Sequence, residues 1–328
     1  MSSEAGWKIL GKIVTLGEVV ADIYRSESPV EVEMPFIARP GGAPANVTVA
    51  AARLGEEAAF AGSVGRDLFG DFILRALEAE GVQTSSVRRC EPPTRTSLAF
   101  VEIGEDGDRS FTFYRSDPAA DELISPEDVS EEFVSGASFV NFGSIMLIKD
   151  PARSAVHKAA RLARDQNVPA AFDVNFREHL WLSVEAAREA VNPLLDLSTI
   201  VKLGDEEVAP LLGTESKEEA AQQLLGRGVS LVLVSLGREG AFYATQEFSG
   251  QVPAFEVEVV DATGAGDAFL AATLVHLSED SKSSFDEERV REAVRRGTAA
   301  GALACTDYGA MRALPTKDEL ERFVAGGG

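Results

Sequence analysis

A chain of 328 residues with 53 Asp and Glu against 31 Lys and Arg has a formal net charge of −22. Nucleic acid and anionic membrane surfaces are recognised by dense Lys/Arg surfaces, so this balance speaks against both. The 45% hydrophobic and 26% charged content is that of a folded protein with a large core, and the length suits two domains or one large α/β domain. Cys90 and Cys305 stand far apart, outside any CxxC or zinc spacing, which makes a reducing cytoplasm the expected setting. His157, His179 and His276 are isolated and read as surface or packed side chains. No segment approaches the roughly 20 apolar residues of a membrane helix, and Met1–Lys12 has no signal-peptide-like apolar run.

In chain order, Ile13–Val20 is β-branched and nearly continuous, as in a buried parallel strand. A polar, proline-marked stretch, Asp22–Pro40, leads to Gly41-Gly42-Ala43-Pro44-Ala45-Asn46, which opens an Ala-rich helix running to Leu54. Asp67–Glu80 is amphipathic, with Leu68, Phe72, Leu74 and Leu77 near one stripe and Gly81 at the C-cap. Thr96–Ile103 and Ser110–Arg115 flank a polar loop and predict an antiparallel hairpin. Strands are then predicted at Ser138–Phe142, Pro169–Val174, Thr199–Lys202, Leu231–Ser235, Ala241–Ala244 and Ala254–Val260. Helices are predicted at Pro151–Asn167, Val184–Leu195, Lys217–Arg227, Gly266–Leu277, Asp286–Ala304 and Lys317–Val324. This alternation predicts an α/β fold with a doubly wound, mostly parallel sheet, helices on both faces, and the hairpin and Asp22–Pro40 as insertions. The acidic segments Asp121–Glu132, Asp205–Glu219 and Glu279–Glu288 read as solvated helix starts and turns.

Ligands of α/β sheets sit where strand ends feed helices. The strongest such loop is Asp261-Ala262-Thr263-Gly264-Ala265-Gly266-Asp267. Its glycines let backbone amides converge, and the helix N-terminus adds a positive dipole end, so an anion could be held without a basic side chain. Asp267 would project into that hole as a carboxylate, kept ionised by the dipole and able to accept a hydroxyl proton. A plain strand-to-helix turn with an N-cap Asp is the structural alternative. In Gly41–Asn46 the glycines permit close approach and Asn46 has the donors and acceptors that sugar hydroxyls need, although helix capping also accounts for the block. Asp173-Val174-Asn175-Phe176-Arg177 and Ser235-Leu236-Gly237-Arg238-Glu239-Gly240 stand at two further strand ends. The chain has no GxxxxGK[ST], no HExxH and no GxSxG, and Phe269 occupies the third glycine position of a dinucleotide fingerprint.

Taken in order, these loops resemble those of the ribokinase-like sugar kinases, the PfkB family, over nearly the whole chain. Asp261–Phe269 is similar to the family's C-terminal signature. Gly41-Gly42…Asn46, with Gly55 and Gly62-Ser63-Val64-Gly65-Arg66-Asp67, is similar to its N-terminal one. Within the family the chain looks most like fructokinases, on Arg109–Arg115, Gly143-Ser144-Ile145, Asp173–Trp181, Ala302–Thr306, Gly309-Ala310 and Leu314-Pro315-Thr316.

The resemblance implies a single ribokinase-like domain over 1–328 with a small β-lid from about 21–40 and 96–116, and ATP-dependent transfer of phosphate to a hexose, foremost fructose to fructose 6-phosphate. It implies Asp267 as general base and the amides of Gly264, Ala265 and Gly266 as anion hole. Asp22, Gly41, Gly42, Asn46, Phe113, Arg115 and Arg177 would line the sugar pocket. Lys202, Gly204, Ser235, Gly237, Gly240 and Thr298 would lie along ATP. Glu207 would order Mg²⁺ through water, and Asp261, Thr263 and Gly309 would flank a monovalent cation such as K⁺. A homodimer through the lid is implied as well. Gly204 departs from the Asn of the family's NxxE motif, and Ala43 departs from the Lys usual in ribokinases. The alternative substrate is 2-keto-3-deoxygluconate, whose carboxylate Arg115 and Arg177 could clamp, and a ribokinase or a catalytically silent member of the family are the further readings.

Overall fold

Alternate residues of the central strands face opposite helical layers. Ile13, Phe139, Ala171, Ile200 and Leu231 join one buried cluster, and Val14, Val140, Phe172, Val201 and Val232 join the other. A strand covered on both faces is apolar throughout, which is why these segments read as continuous hydrophobic runs. The computed structural model describes residues 11–26, 32–103, 109–279 and 285–327.

The strands are β1 (Lys12–Leu16), β2 (Val20–Arg25), β3 (Phe36–Gly41), β4 (Glu57–Gly65), β5 (Gln83–Cys90), β6 (Leu98–Ile103), β7 (Arg109–Tyr114), β8 (Phe139–Gly143), β9 (Ala170–Asp173), β10 (Ile200–Gly204), β11 (Leu231–Ser235), β12 (Ala241–Ala244) and β13 (Ser249–Val252). The helices are α1 (Ala43–Arg53), α2 (Leu68–Ala79), α3 (Glu131–Val134), α4 (Ala152–Asp165), α5 (Val184–Leu195), α6 (Asp205–Leu212), α7 (Lys217–Leu225), α8 (Ala265–Ser278), α9 (Glu287–Ala304) and α10 (Lys317–Gly326).

The main sheet has nine strands in the order β13-β12-β11-β10-β9-β8-β1-β4-β5. From β5 to β11 it is parallel, and β12 and β13 add an antiparallel hairpin at one edge. The doubly wound α/β arrangement is the one the sequence implies. From β1 the chain winds outward to β4 and β5 on one side and to β8 through β11 on the other. The topological switch therefore lies between the carboxyl ends of β1 and β8, where such sheets bind ligands.

A second sheet, β3-β2-β6-β7, stands beside this switch. Its register sets Arg39, Asp22, Ala99 and Phe113 opposite one another in one row, so the four share a face. On the other face Phe100 meets Phe36 at 5.3 Å and Tyr114 at 4.8 Å between ring centroids. The hairpin loop at 104–108 lies outside the described residues.

Three expectations need correction. Residues 254–260 form no strand: Val260 and Asp261 donate their amides to the Cys305 carbonyl at the end of α9, and Phe255 packs on Phe323 at 5.2 Å. Phe255 is thus used for a helix contact instead of a ladder, while Val259 and Val260 stay exposed. β4 and β5 were not expected from the sequence; β4 is rich in Ala and Gly, which carry little strand signal. Gly62 of β4 is nonetheless required, since a Cβ there would lie 2.7 Å from the Gly17 carbonyl oxygen. Asp121 is not a solvated helix start: it is 1% exposed and accepts from Ser97 Oγ at 2.5 Å and from Arg115.

Candidate active site

Asp267 is the third residue of α8, and Gly264 is its N-cap, with φ +84°. A Cβ on Gly264 would sit 3.1 Å from Ala310 Cα, so both the left-handed backbone and the packing demand glycine. The first turn of any helix leaves its amides without intrahelical acceptors, and here they surround Gly264–Gly266. The Ala265 amide makes a long turn bond of 3.3 Å to the Ala262 carbonyl. A Cβ on Gly266 would lie 3.1 Å from Lys202 Nζ, so the lysine head abuts the turn.

Lys202, on β10, pairs with Asp173 at the end of β9, Nζ to Oδ1 2.9 Å and Oδ2 3.2 Å, with both side chains buried. Across the switch, Asn46 of α1 donates Nδ2 to Asp267 Oδ2 at 2.7 Å. Gly42 opens α1 at φ +106°, where a Cβ would lie 2.7 Å from the Glu18 carbonyl oxygen. Gly41 admits the Asp22 carboxyl, whose Oδ2 would be 2.1 Å from a Cβ on it.

Burial pushes Asp267 up to about 6; the Asp173 charge adds to this, while the Asn46 hydrogen bond, Lys202 and Arg177 oppose it. Desolvation thus outweighs the dipole that was expected to hold the group fully ionised, and leaves a base matched to neutral pH. Burial likewise raises Asp22 to about 7, reinforced by the Asp267 and Asp261 charges.

Sequence reasoning missed Glu18, which directly follows Gly17 at the end of β1. It is buried, its Oε2 has no hydrogen-bond partner, and burial lifts its pKa to about 8, with Asp121 and Asp267 contributing and Arg115 opposing. Its position after a glycine at the carboxyl end of a central strand was the available signal. Because folded Glu18 keeps its proton to about pH 8 and unfolded Glu18 loses it near 4.5, the folded state binds more protons between those values. Stability from this group is therefore present at low pH and lost as pH rises through that window. Glu18→Gln should gain melting temperature over the parent chain between pH 5 and 9, at about 1.5 °C for each kcal/mol recovered. Thermal scans across pH check this, and a difference that stays flat contradicts it.

Glu207 is buried at N3 of α6 and accepts from the Gly204 amide at 2.8 Å and the Phe176 amide. It ties the loop after β9 to β10, and burial raises it to about 7. Asp261 accepts from Thr263 N at 2.6 Å and Gly309 N at 2.8 Å, joining two loops behind Gly264.

The remaining expected residues are placed unevenly. Phe113 stacks on His179 at 5.9 Å, linking the second sheet to the loop after β9. Arg177, in that loop, is exposed yet close enough to act on the Asp267 charge. Arg115 is committed to Asp121 and to Glu122 at 3.8 Å. Ser235 donates to the Leu203 carbonyl at 3.3 Å, and Gly237 borders open space. Gly240 has a packing reason, since a Cβ would meet the Val252 carbonyl oxygen at 2.0 Å. The Thr298 hydroxyl bonds back to the Arg295 carbonyl at 2.8 Å.

Around Asp267 the structure thus gathers a carboxylate, an amide turn and a lysine near the switch point, and comparisons with known proteins give the family. The pattern of the pfkB family carbohydrate kinases matches residues 10–317. The chain belongs to that family. This kinase is 39% identical to a probable fructokinase-2 of Arabidopsis thaliana, over 96% of each chain. Its fold superposes with a TM-score of 0.87 on a fructokinase with bound ATP from Xylella fastidiosa, at 31% identity, covering 97% of this chain and 99% of that one. A fructokinase double mutant from Vibrio cholerae O395, in a form with fructose, ADP and potassium ion, gives 0.85 at 34% identity, covering 96% and 98%. The enzyme is a phosphotransferase with an alcohol acceptor. Among the described residues no helix is long and apolar enough to cross a membrane.

Proposed function

We propose that this kinase transfers the γ-phosphoryl group of ATP to the 6-hydroxyl of fructose, giving fructose 6-phosphate and ADP. The observation that carries the reading is the buried Asp267 carboxylate, fixed by Asn46 and set in the first turn of α8 beside Lys202. Asn46 holds one oxygen of Asp267, and the other takes the proton of the sugar hydroxyl. The hydroxyl oxygen bonds to the γ-phosphorus as the bond to the β-phosphate oxygen breaks and ADP leaves. The Gly264–Gly266 amides and Lys202 Nζ hold the charge that spreads over the moving phosphoryl group. Asp22, Gly41, Gly42 and Asn46 hold the sugar, and Phe113 covers it from the second sheet, which acts as a lid that keeps water out. ATP runs along Ser235 and Gly237, past Gly204.

Mg²⁺ would come with ATP and screen its phosphates. Glu207, whose oxygens accept the Phe176 and Gly204 amides, would help to order that ion through water. A K⁺ ion beside Asp261, Thr263 and Gly309 would be balanced by the buried Asp261 carboxylate. The outer lid face, with Phe36 and Tyr114 largely exposed, suits a second copy of the chain, and the cytoplasm suits the thiols.

The 2-keto-3-deoxygluconate reading needs Arg115 and Arg177 as a clamp for the sugar carboxylate, and Asp121 and Glu122 already neutralise Arg115, which leaves Arg177 without its second arm. The specificity constant kcat/KM should favour fructose over 2-keto-3-deoxygluconate by on the order of 100-fold. A coupled assay of ADP release with each sugar measures it, and a reversed order contradicts the proposal.

A further inference from the structure

Arg39 shares the sugar-facing row of the lid with Asp22, Ala99 and Phe113, yet its side chain leaves the sheet. Its Nη1 donates to the Tyr308 carbonyl, 269 residues further along the chain. Its guanidinium carbon lies 5.1 Å from the centroid of the Tyr24 ring, which holds the fork in place by cation–π attraction. The next residue, Gly309, has φ +87°, and a Cβ there would stand 2.3 Å from Arg39 Nη1. The loop is therefore shaped to admit this arginine.

What the loop touches gives the contact its consequence. The Gly309 amide holds Asp261 Oδ2 at 2.8 Å, and the Thr263 amide holds Oδ1 at 2.6 Å. The neighbouring Ala310 backs Gly264, the N-cap of α8. One chain of direct contacts thus runs from lid strand β3 to the turn that receives the phosphoryl group.

We infer that Arg39 is a positioning residue: by pinning the Tyr308 carbonyl, it ties the sugar-facing lid strand to loop 307–310 and steadies the Asp261 and Gly264 turn behind the phosphoryl site. The inference rests on the site reading given above. An ordinary exposed arginine would contribute little and locally. Arg39 instead acts where a misplacement of about 1 Å is felt, because the amides must point at charge that appears only in transfer.

The test compares the parent chain with Arg39→Ala and Arg39→Lys in hydrogen exchange of the segments 258–265 and 306–313, alongside kcat and KM for ATP and fructose. Loss of one such hydrogen bond predicts roughly 2- to 10-fold faster exchange in both segments of Arg39→Ala, with α9 unchanged. It predicts a similar fall in kcat with a smaller change in either KM. Arg39→Lys, which keeps a donor, should recover part of the protection and of kcat together. Gly309→Ala should cost less in the Arg39→Ala background than in the parent, because the 2.3 Å clash is gone. Unchanged exchange in both segments of Arg39→Ala overturns the inference, whether or not kcat falls. A chain that proves inactive on fructose sinks the substrate reading alone, since the exchange comparison needs no turnover.

Discussion

Asp267→Asn should lower kcat by roughly 10²–10⁴-fold, the scale of a lost general base, while KM for fructose and for ATP moves only a few-fold. The amide has nearly the size of the carboxyl it replaces, so α8 and its amide turn stay in place and binding persists. In the parent chain the base works only when deprotonated. Its pKa of about 6 makes kcat/KM fall about tenfold per pH unit below that value and level off above it. Asn46→Ala removes a hydrogen bond that lowers the Asp267 pKa, so this acid limb should move to higher pH. Steady-state rates between pH 5 and 9 measure both effects, and retained turnover in Asp267→Asn removes the residue from the role of base.

Lys202→Met should cost about 10²–10³-fold in kcat, comparable to losing one preorganised donor to a developing charge. It also strips the buried Asp173 of its partner, a loss of about 3–5 kcal/mol in stability when a buried pair is broken from one side. The charge of Lys202 lowers the pKa of both Asp267 and Glu207, so its removal shifts the acid limb of residual activity upward. This displacement separates an electrostatic role from loss of folded protein, which would scale the whole profile without moving it. Circular dichroism and a pH–rate profile of Lys202→Met provide the check; an unmoved limb would place Lys202 outside the reacting centre.

The parts legible in sequence were those whose chemistry is local. Apolar runs such as Ile13–Val20 and Leu231–Ser235 read as strands covered on both faces, although the first breaks at Leu16 and its Val20 begins β2 of the second sheet. The glycines of 41–42 and 264–266 mark close approach of backbone to backbone or ligand, and the structure places both blocks around Asp267. Less legible were the features decided by packing between distant segments. β4 carries a glycine where Gly17 and Gly62 must nearly touch, and in 254–260 Phe255 packs against Phe323 of α10 and under Arg295 of α9 while Val259 and Val260 stay exposed. Asp121 carries no local mark separating it from solvated acids, and Glu18 has only its place after a glycine at a strand end; the topology buries both.

The formal charge of −22 changes meaning accordingly. Much of the acid excess was expected on outer helix starts, but Glu18, Asp22, Asp173, Glu207 and Asp267 are buried in or beside the site. Burial lifts four of them to between about 6 and 8, so part of the nominal charge is protonated near neutral pH. In the proposed reaction the phosphoryl group would be received by amides and one lysine, while the surrounding acids would hold that lysine and the sugar. A strongly negative chain is therefore no obstacle to an anionic substrate.

A crystal structure with fructose and a non-hydrolysable ATP analogue tests the central claim most directly. The 6-hydroxyl oxygen should lie within about 2.6–3.2 Å of an Asp267 carboxylate oxygen, with the γ-phosphate against the Gly264–Gly266 amides. Fructose held with another hydroxyl at Asp267, or a γ-phosphate away from that turn, would contradict it.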